Sequence, residues 1–256
     1  MYAVNCSILF TELPLLERPA AARQAGFDAV EFWWPWPVAV PADAEIDEFV
    51  AAVTDAGVQL IGLNFAAGDM PGGDRGLVSW PARSGEFRDN VEVAVGIAER
   101  LGCRAFNALY GNRIEGVSAA EQDELGAENL AIAARAAKRI GGTVLVEPVS
   151  GAPRYPLLTA ADALAAVDRA GEDNLRLLLD VYHLSVNGDD VDAAIEGGRF
   201  GHVQIADAPG RHQPGTGGLP IGQWIAKIAA SGYDGRIALE YVAEGPDPFG
   251  WLEGKR

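Results

Sequence analysis

The sequence is poor in cysteine and in basic side chains, and each shortage removes a class of function. Only two cysteines, Cys6 and Cys103, occur in 256 residues. They fall in separate strand-like runs and make neither a disulfide framework nor a zinc motif. Lysine and arginine number 20 against 36 acidic residues, a net charge of -16. Nucleic acids and anionic membrane surfaces are read by basic patches, so this balance argues against both as partners. No apolar run reaches the roughly 18 residues of a membrane span. The chain enters Tyr2-Ala-Val-Asn5 without the basic segment and apolar core of a signal peptide. No Gly-x-Gly-x-x-Gly follows a strand-like run, and no Ser/Pro-rich linker divides the chain. A cytoplasmic enzyme built as one domain over residues 1–256, with homo-oligomerisation left open, is the resulting expectation.

What is present is a repeated alternation. Short aliphatic runs read as strands at Ala3 to Ser7, Ala29 to Phe32, Val58 to Phe65, Arg104 to Leu109, Thr143 to Glu147, Leu175 to Asp180, Gly201 to Ala206 and Arg236 to Tyr241. Helical segments lie between them at Leu13 to Gln24, Ala44 to Ala56, Glu86 to Leu101, Ala119 to Ile140, Ala160 to Ala170, Val191 to Ile195 and Ile221 to Ala230. Gly26, Gly57, Gly102, Gly141, Gly171 and Gly232 stand where helices should end. Ser118 with Glu121 and Thr159 with Asp162 read as N-caps. Eight such units predict an α/β fold of the (β/α)8 TIM barrel type, with an open doubly wound sheet as the runner-up.

Four strand-like runs end on oxygen-bearing side chains: Glu147, Asp180, Gln204 and Glu240. Glutamate inside a buried strand is costly unless something compensates its charge, so a positive group is expected beside Glu147. The carboxyl ends of barrel strands share one face, so the four residues are placed to converge on one metal ion. Their hard oxygen atoms favour Mg²⁺ or Mn²⁺. A lone acidic strand end would be an ordinary solvated residue, and the recurrence in successive units is what speaks for a site.

Other candidates cluster at the same face. His183, three residues after Asp180, is placed to bind substrate oxygens, His202 to orient Gln204 from below, and His212 is as readily a surface residue. Arg211 suits a substrate carboxylate or hydroxyl pair, against the equal alternative of a surface arginine. The run Phe32-Trp33-Trp34-Pro35-Trp36 is either a pocket wall or a subunit contact, with Trp34 a candidate for substrate. Two long loops fall on this face, Ala66 to Ser84, a lid or else a disordered loop, and Asp207 to Leu219.

An ordered set of segments resembles the hydroxypyruvate isomerase family of the xylose isomerase-like barrels: Asn5-Cys-Ser-Ile-Leu-Phe, Ala21-Ala-Arg-Gln-Ala-Gly-Phe-Asp-Ala-Val-Glu-Phe32, Leu63-Asn64-Phe65, Leu145-Val-Glu147-Pro, Asp180-Val-Tyr-His183, Gly201-His-Val-Gln204-Ile-Ala, Pro209-Gly-Arg211 and Glu240-Tyr241. The resemblance implies that Glu147, Asp180, Gln204 and Glu240 are metal ligands, with Glu147 and Glu240 also the acid/base pair. It implies substrate-binding roles for His183, Arg211 and Asn64. Related ketose 3-epimerases carry a histidine where this chain has Gln204, which favours the isomerase branch. This chain departs from the family where Gly217-Gly-Leu-Pro-Ile221 lacks an acidic residue and where Pro148-Val-Ser-Gly-Ala-Pro153 replaces a more polar loop.

The function so implied is metal-dependent isomerisation of hydroxypyruvate and tartronate semialdehyde through an enediolate. Alternatives are an epimerase or isomerase of a longer ketose, a keto-polyol dehydratase, and, from another class, a non-catalytic sugar-binding protein. Two candidate bases speak against mere binding. A phosphodiester-cleaving barrel would need more metal-binding histidine and a basic groove.

Overall fold

Short β-branched runs separated by longer amphipathic segments can bury both kinds of apolar surface only by layering helices on a parallel sheet. The computed structural model describes residues 2–252. Its strands are β1 (Tyr2–Asn5), β2 (Ala29–Phe32), β3 (Gln59–Asn64), β4 (Ala105–Asn107), β5 (Thr143–Val146), β6 (Leu175–Asp180), β7 (Phe200–Ile205) and β8 (Ile237–Leu239). The helices are α1 (Arg18–Gln24), α2 (Asp43–Ala56), α3 (Ser84–Leu101), α4 (Ala119–Lys138), α5 (Ala160–Ala170), α6 (Val181–Val186), α7 (Val191–Glu196) and α8 (Ile221–Ala230). All strand pairs are parallel, and β1 pairs with both β2 and β8, closing a TIM barrel in sequence order. That last pairing, Tyr2 to Ile237 through Val4 to Leu239, excludes the open sheet. Among the described residues no helix is long and apolar enough to cross a membrane.

Local chemistry explains most element ends. The six glycines expected after helices all have positive φ. Ser118 Oγ accepts from Glu121 N, and Thr159 and Asp162 form a reciprocal capping box. The helix expected from Leu13 is a 3₁₀ turn at Leu15–Glu17 followed by α1, because Pro14 and Pro19 restrict where the first turn can begin. The short helix α6 had no place in the expected order. It starts directly from β6, where Asp180 Oδ1 caps it by accepting from Tyr182 N and His183 N at 2.8 and 3.1 Å.

The strand ends form a polar layer that extends beyond the four expected residues. Asn5, Glu31, Asn64, Asn107, Glu147, Asp180, Gln204 and Glu240, one from each strand or the residue just after it, are all buried. Glu147 lies one residue past β5, where Pro148 brings no N–H to extend the ladder. Gly62 on β3 gives Glu31 its room, since a Cβ there would stand 3.2 Å from Glu31 Cβ and Oε2.

Both long loops are tied down. In the 66–84 segment Leu77 and Val78 are fully buried, Gly76 bridges Tyr110, and Arg83 pairs with Asp74 and Glu86. A Cβ on Gly76 would lie 1.9 Å from Leu109 O, so only glycine permits this approach. These contacts replace the disordered-loop expectation. In the 207–219 segment Asp207 accepts from four backbone N–H groups, of Ala208 and Leu219 on Oδ1 and of Gly215 and Gly217 on Oδ2.

Candidate active site

The polar layer is a continuous chain of contacts. Glu31 accepts from Gln204 Nε2 at 2.7 Å and pairs with His202 Nε2 at 2.6 Å. Asn5 Nδ2 spans Glu31 Oε1 and Glu240 Oε1 at 2.9 and 3.0 Å. Glu240 Oε1 also accepts from Trp33 Nε1, and its Oε2 accepts from Arg211 Nη2 at 2.7 Å. The same Arg211 nitrogen is 3.6 Å from Asp180 Oδ2. His183 Nε2 then stands 3.8 Å from Asp180 Oδ2 and 3.9 Å from Glu147 Oε1. Asn107 Nδ2 holds the other Glu147 oxygen at 2.6 Å.

The direct partner of Glu147 is therefore an amide rather than the cation expected. Burial, and next the charge of Asp180, push its carboxyl up to about 8. Burial also raises Glu240 well above the usual carboxylate range, although Arg211 opposes the rise. Two buried carboxyls held this high, with Asp180 and Glu31 beside them and one guanidinium among them, form a site short of positive charge.

His183 carries a defined proton. Its Nδ1 receives Ser150 N–H at 3.0 Å and lies 2.7 Å from Ser150 Oγ. A backbone N–H only donates, so Nδ1 is bare and the neutral ring carries its proton on Nε2. Burial lowers the imidazolium to about 4, so the ring is neutral near pH 7. Glu147, Asp180 and His183 have ligand atoms within 4.8 Å of one another and by proximity could hold a metal ion. In this tautomer, however, Nε2 is a donor and suits a substrate oxygen.

The oxygen set fits a hard divalent cation better. Among the described residues Gln204 Oε1 is buried without a hydrogen-bond partner, and the nearest polar neighbour of Glu147 Oε1 is His183 Nε2 at 3.9 Å. An orphaned acceptor beside repelling carboxylates is what a divalent ion would satisfy.

Glu147, Glu240, His183, Arg211, Asn64 and Trp34 all line one cavity of about 720 Å³ at the strand ends. Asp180 and Gln204 are not in its wall and lie buried at the same layer. Trp33, Trp34 and Trp36 form one side, which agrees with the pocket-wall reading of the tryptophan run. Arg211, at positive φ, is anchored by its bond to Glu240 rather than being a free surface side chain, and its buried Nε has no partner among the described residues. His202 and Gln204 are joined through Glu31, which both of them bond, rather than by a hydrogen bond of their own among the described residues. His212 bonds Val242 O outside the cavity. Sequence reasoning missed Asn5, Glu31, Asn107 and Ser150. The first three repeat the strand-end pattern already visible in the second half of the chain.

The profile of the family described as Xylose isomerase-like TIM barrel matches residues 19–256. A Streptomyces coelicolor protein provisionally named hydroxypyruvate isomerase is 54% identical over 98% of this chain and 95% of its own length. The Escherichia coli protein named hydroxypyruvate isomerase is 31% identical, covering 100% of this chain and 99% of that one. A solved structure from Brucella melitensis, described as an AP endonuclease of family 2, superposes with a TM-score of 0.90 at 33% identity, covering 100% of this chain and 98% of that one.

Proposed function

Because the chain belongs to the xylose isomerase-like TIM barrel family, and to its isomerases, we propose that it interconverts hydroxypyruvate and tartronate semialdehyde with the help of a divalent metal. The observation that carries this reading is the pair of buried, high-pKa carboxyls, Glu147 and Glu240, in the wall of one cavity. They come from strands three places apart around the barrel and both face that cavity.

Isomerisation takes a proton from C3 of hydroxypyruvate, passes through an enediolate, and returns a proton to C2, while the hydroxyl proton moves from the C3 oxygen to the C2 oxygen. Glu147 is the better placed base for the first step, because its Oε1 is uncommitted whereas both oxygens of Glu240 already accept hydrogen bonds. Glu240 is then the group that returns the proton. His183 Nε2–H donates to a substrate oxygen, and the Arg211 guanidinium in the same cavity wall holds the carboxylate. Glu147, Asp180, Gln204 and Glu240 would hold Mg²⁺ or Mn²⁺. When bound, such an ion offsets the mutual repulsion of the carboxylates and polarises the substrate carbonyl.

An endonuclease reading is disfavoured by the same site. Of the three histidines only His183 adjoins Glu147 and Asp180, His202 being taken up by Glu31 and His212 by Val242 O, and the surrounding charge is negative. A longer polyhydroxy acid remains the second reading, since 720 Å³ exceeds what a three-carbon acid fills. Relatives from Haemophilus influenzae and Cupriavidus necator carry the name 2-oxo-tetronate isomerase.

Proton NMR of hydroxypyruvate in D₂O tests the proposal. Metal-stripped protein should be silent, Mg²⁺ or Mn²⁺ should restore C–H exchange and product, and Glu147→Gln and Glu240→Gln should each lose on the order of 10² to 10⁴ in rate. Full activity of either variant, or no exchange under any metal, would sink the assignment.

A further inference from the structure

The cavity adjoins a second space that the acid/base chemistry does not use, and the one cation that lines both is unaccounted for. Arg75, in the loop after β3, lines both the main cavity and an adjoining space of about 250 Å³. It is held at two points. Its backbone carbonyl accepts Gly111 N–H at 3.0 Å, and its Nη1 donates to Met70 O and Asp74 O at 2.9 and 2.6 Å. The Nε and Nη2 edge has no protein acceptor among the described residues.

Among the described residues no carboxylate pairs with Arg75, although the chain carries nearly twice as many acids as bases. The neighbouring acids are committed elsewhere. Asp74 and Glu86 pair with Arg83, and Asp69 accepts Gly72 N–H. Across the small space stands Arg154, exposed and likewise without an ion pair among the described residues. In the same lining Asn112 gives Nδ2–H to Gly73 O, while its Oδ1 is buried and unpartnered among the described residues. Two guanidinium groups without an ion pair, one of them with its Nε and Nη2 edge unused, and one lone acceptor are complementary to an anion that carries, or sits beside, a hydroxyl.

Arg75 lines the same cavity as Glu147 and Glu240, so a ligand that reaches from the acid/base pair into the adjoining space meets Arg75. We propose that Arg75 and Arg154 form an anion subsite at the outer end of the substrate cavity. It binds a carboxylate or phosphate that the substrate carries away from its reacting carbons. A substrate that engages it is longer than three carbons and doubly anionic, and is turned over by the same isomerase chemistry as hydroxypyruvate. This inference rests on the isomerase reading for its chemistry, and on Arg75, Arg154 and Asn112 for its site.

The test compares Arg75→Gln and Arg154→Gln with wild type. Specificity constants are measured for hydroxypyruvate, for an uncharged-end four-carbon 2-oxo acid, and for the same chain ended by a carboxylate or by a phosphate. The expected result is that each variant loses at least tenfold more on a terminally charged chain than on hydroxypyruvate, the two charged chains telling carboxylate from phosphate. Equal losses on all substrates overturn the proposal.

A titration of inorganic phosphate at low salt, followed by calorimetry, separates the two readings. Affinity at least tenfold weaker in both variants supports the subsite even if hydroxypyruvate is not turned over, which would count against the isomerase substrate alone. Unchanged phosphate affinity overturns the subsite. Arg154 makes no side-chain bond among the described residues, so a loss in Arg154→Gln cannot be ascribed to collapse of the loop that Arg75 braces.

Discussion

Glu31 shows how much one residue can organise without facing substrate. Its carboxylate receives Asn5 and Gln204 and pairs with His202, and it is not in the cavity wall. Through Asn5 it also fixes Glu240, the proposed proton donor. Glu31→Gln would replace one acceptor oxygen by a donor in a fully buried network, leaving at least one partner unsatisfied. The expected cost is about 1–3 kcal/mol of stability, read from urea unfolding, with an accompanying loss of isomerase rate. A variant as stable and as active as wild type would show that the network does not position Glu240. Glu31 was hard to see in the sequence because Ala29-Val-Glu-Phe32 reads as an apolar strand with one exposed acid. Only the neighbours brought by β1 and β7 reveal it as an anchor.

At the scale of elements, the segment after β7 depends on Asp207. Burial pushes its carboxyl up, but four backbone N–H donors outweigh this and hold it below the usual aspartate range. A lowered folded pKa contributes stability that is present above the unfolded pKa and lost as pH falls through the folded value. Asp207→Asn should therefore be less stable than wild type at pH 7, with the gap narrowing below about pH 4. Thermal melts of both proteins from pH 7 to pH 3 check this. A constant gap would assign the effect to shape rather than charge. The caps at Ser118 and Thr159 were legible because their partners lie three residues away, whereas the four donors to Asp207 were not, because they depend on how the loop folds back. The missed helix α6 has a similar cause: Asp180 is at once a strand end, a cap and a member of the site, and strand reading absorbed it.

For the whole molecule, the barrel gathers charge that the chain spreads over its length. Glu31, Glu147, Asp180 and Glu240 come from strands β2, β5, β6 and β8, or the residue just after, and meet in one buried layer with a single arginine. Such an arrangement is destabilising until a cation enters, so binding should be visible as stability. Mg²⁺ or Mn²⁺ at about a hundred times its dissociation constant should add roughly 2.7 kcal/mol, or several degrees in Tm at roughly 2–4 °C per kcal/mol. Asp180→Asn should reduce the rise. Melting curves insensitive to either metal would remove the metal from the proposal, whatever the enzyme's activity.

By itself the sequence determined the period of the fold and half of the site. Regular alternation, punctuating glycines and local caps act between near neighbours, so eight βα units and the strand-end positions of Glu147, Asp180, Gln204 and Glu240 could be read directly. Closure of β1 on β8, the recruitment of Asn5, Glu31 and Asn107 into the same layer, and the Ser150 contact that puts the His183 proton on Nε2 were decided only by tertiary structure. Those features join residues far apart in the chain, and their energies come from burial and from hydrogen bonds that exist only once the barrel has closed.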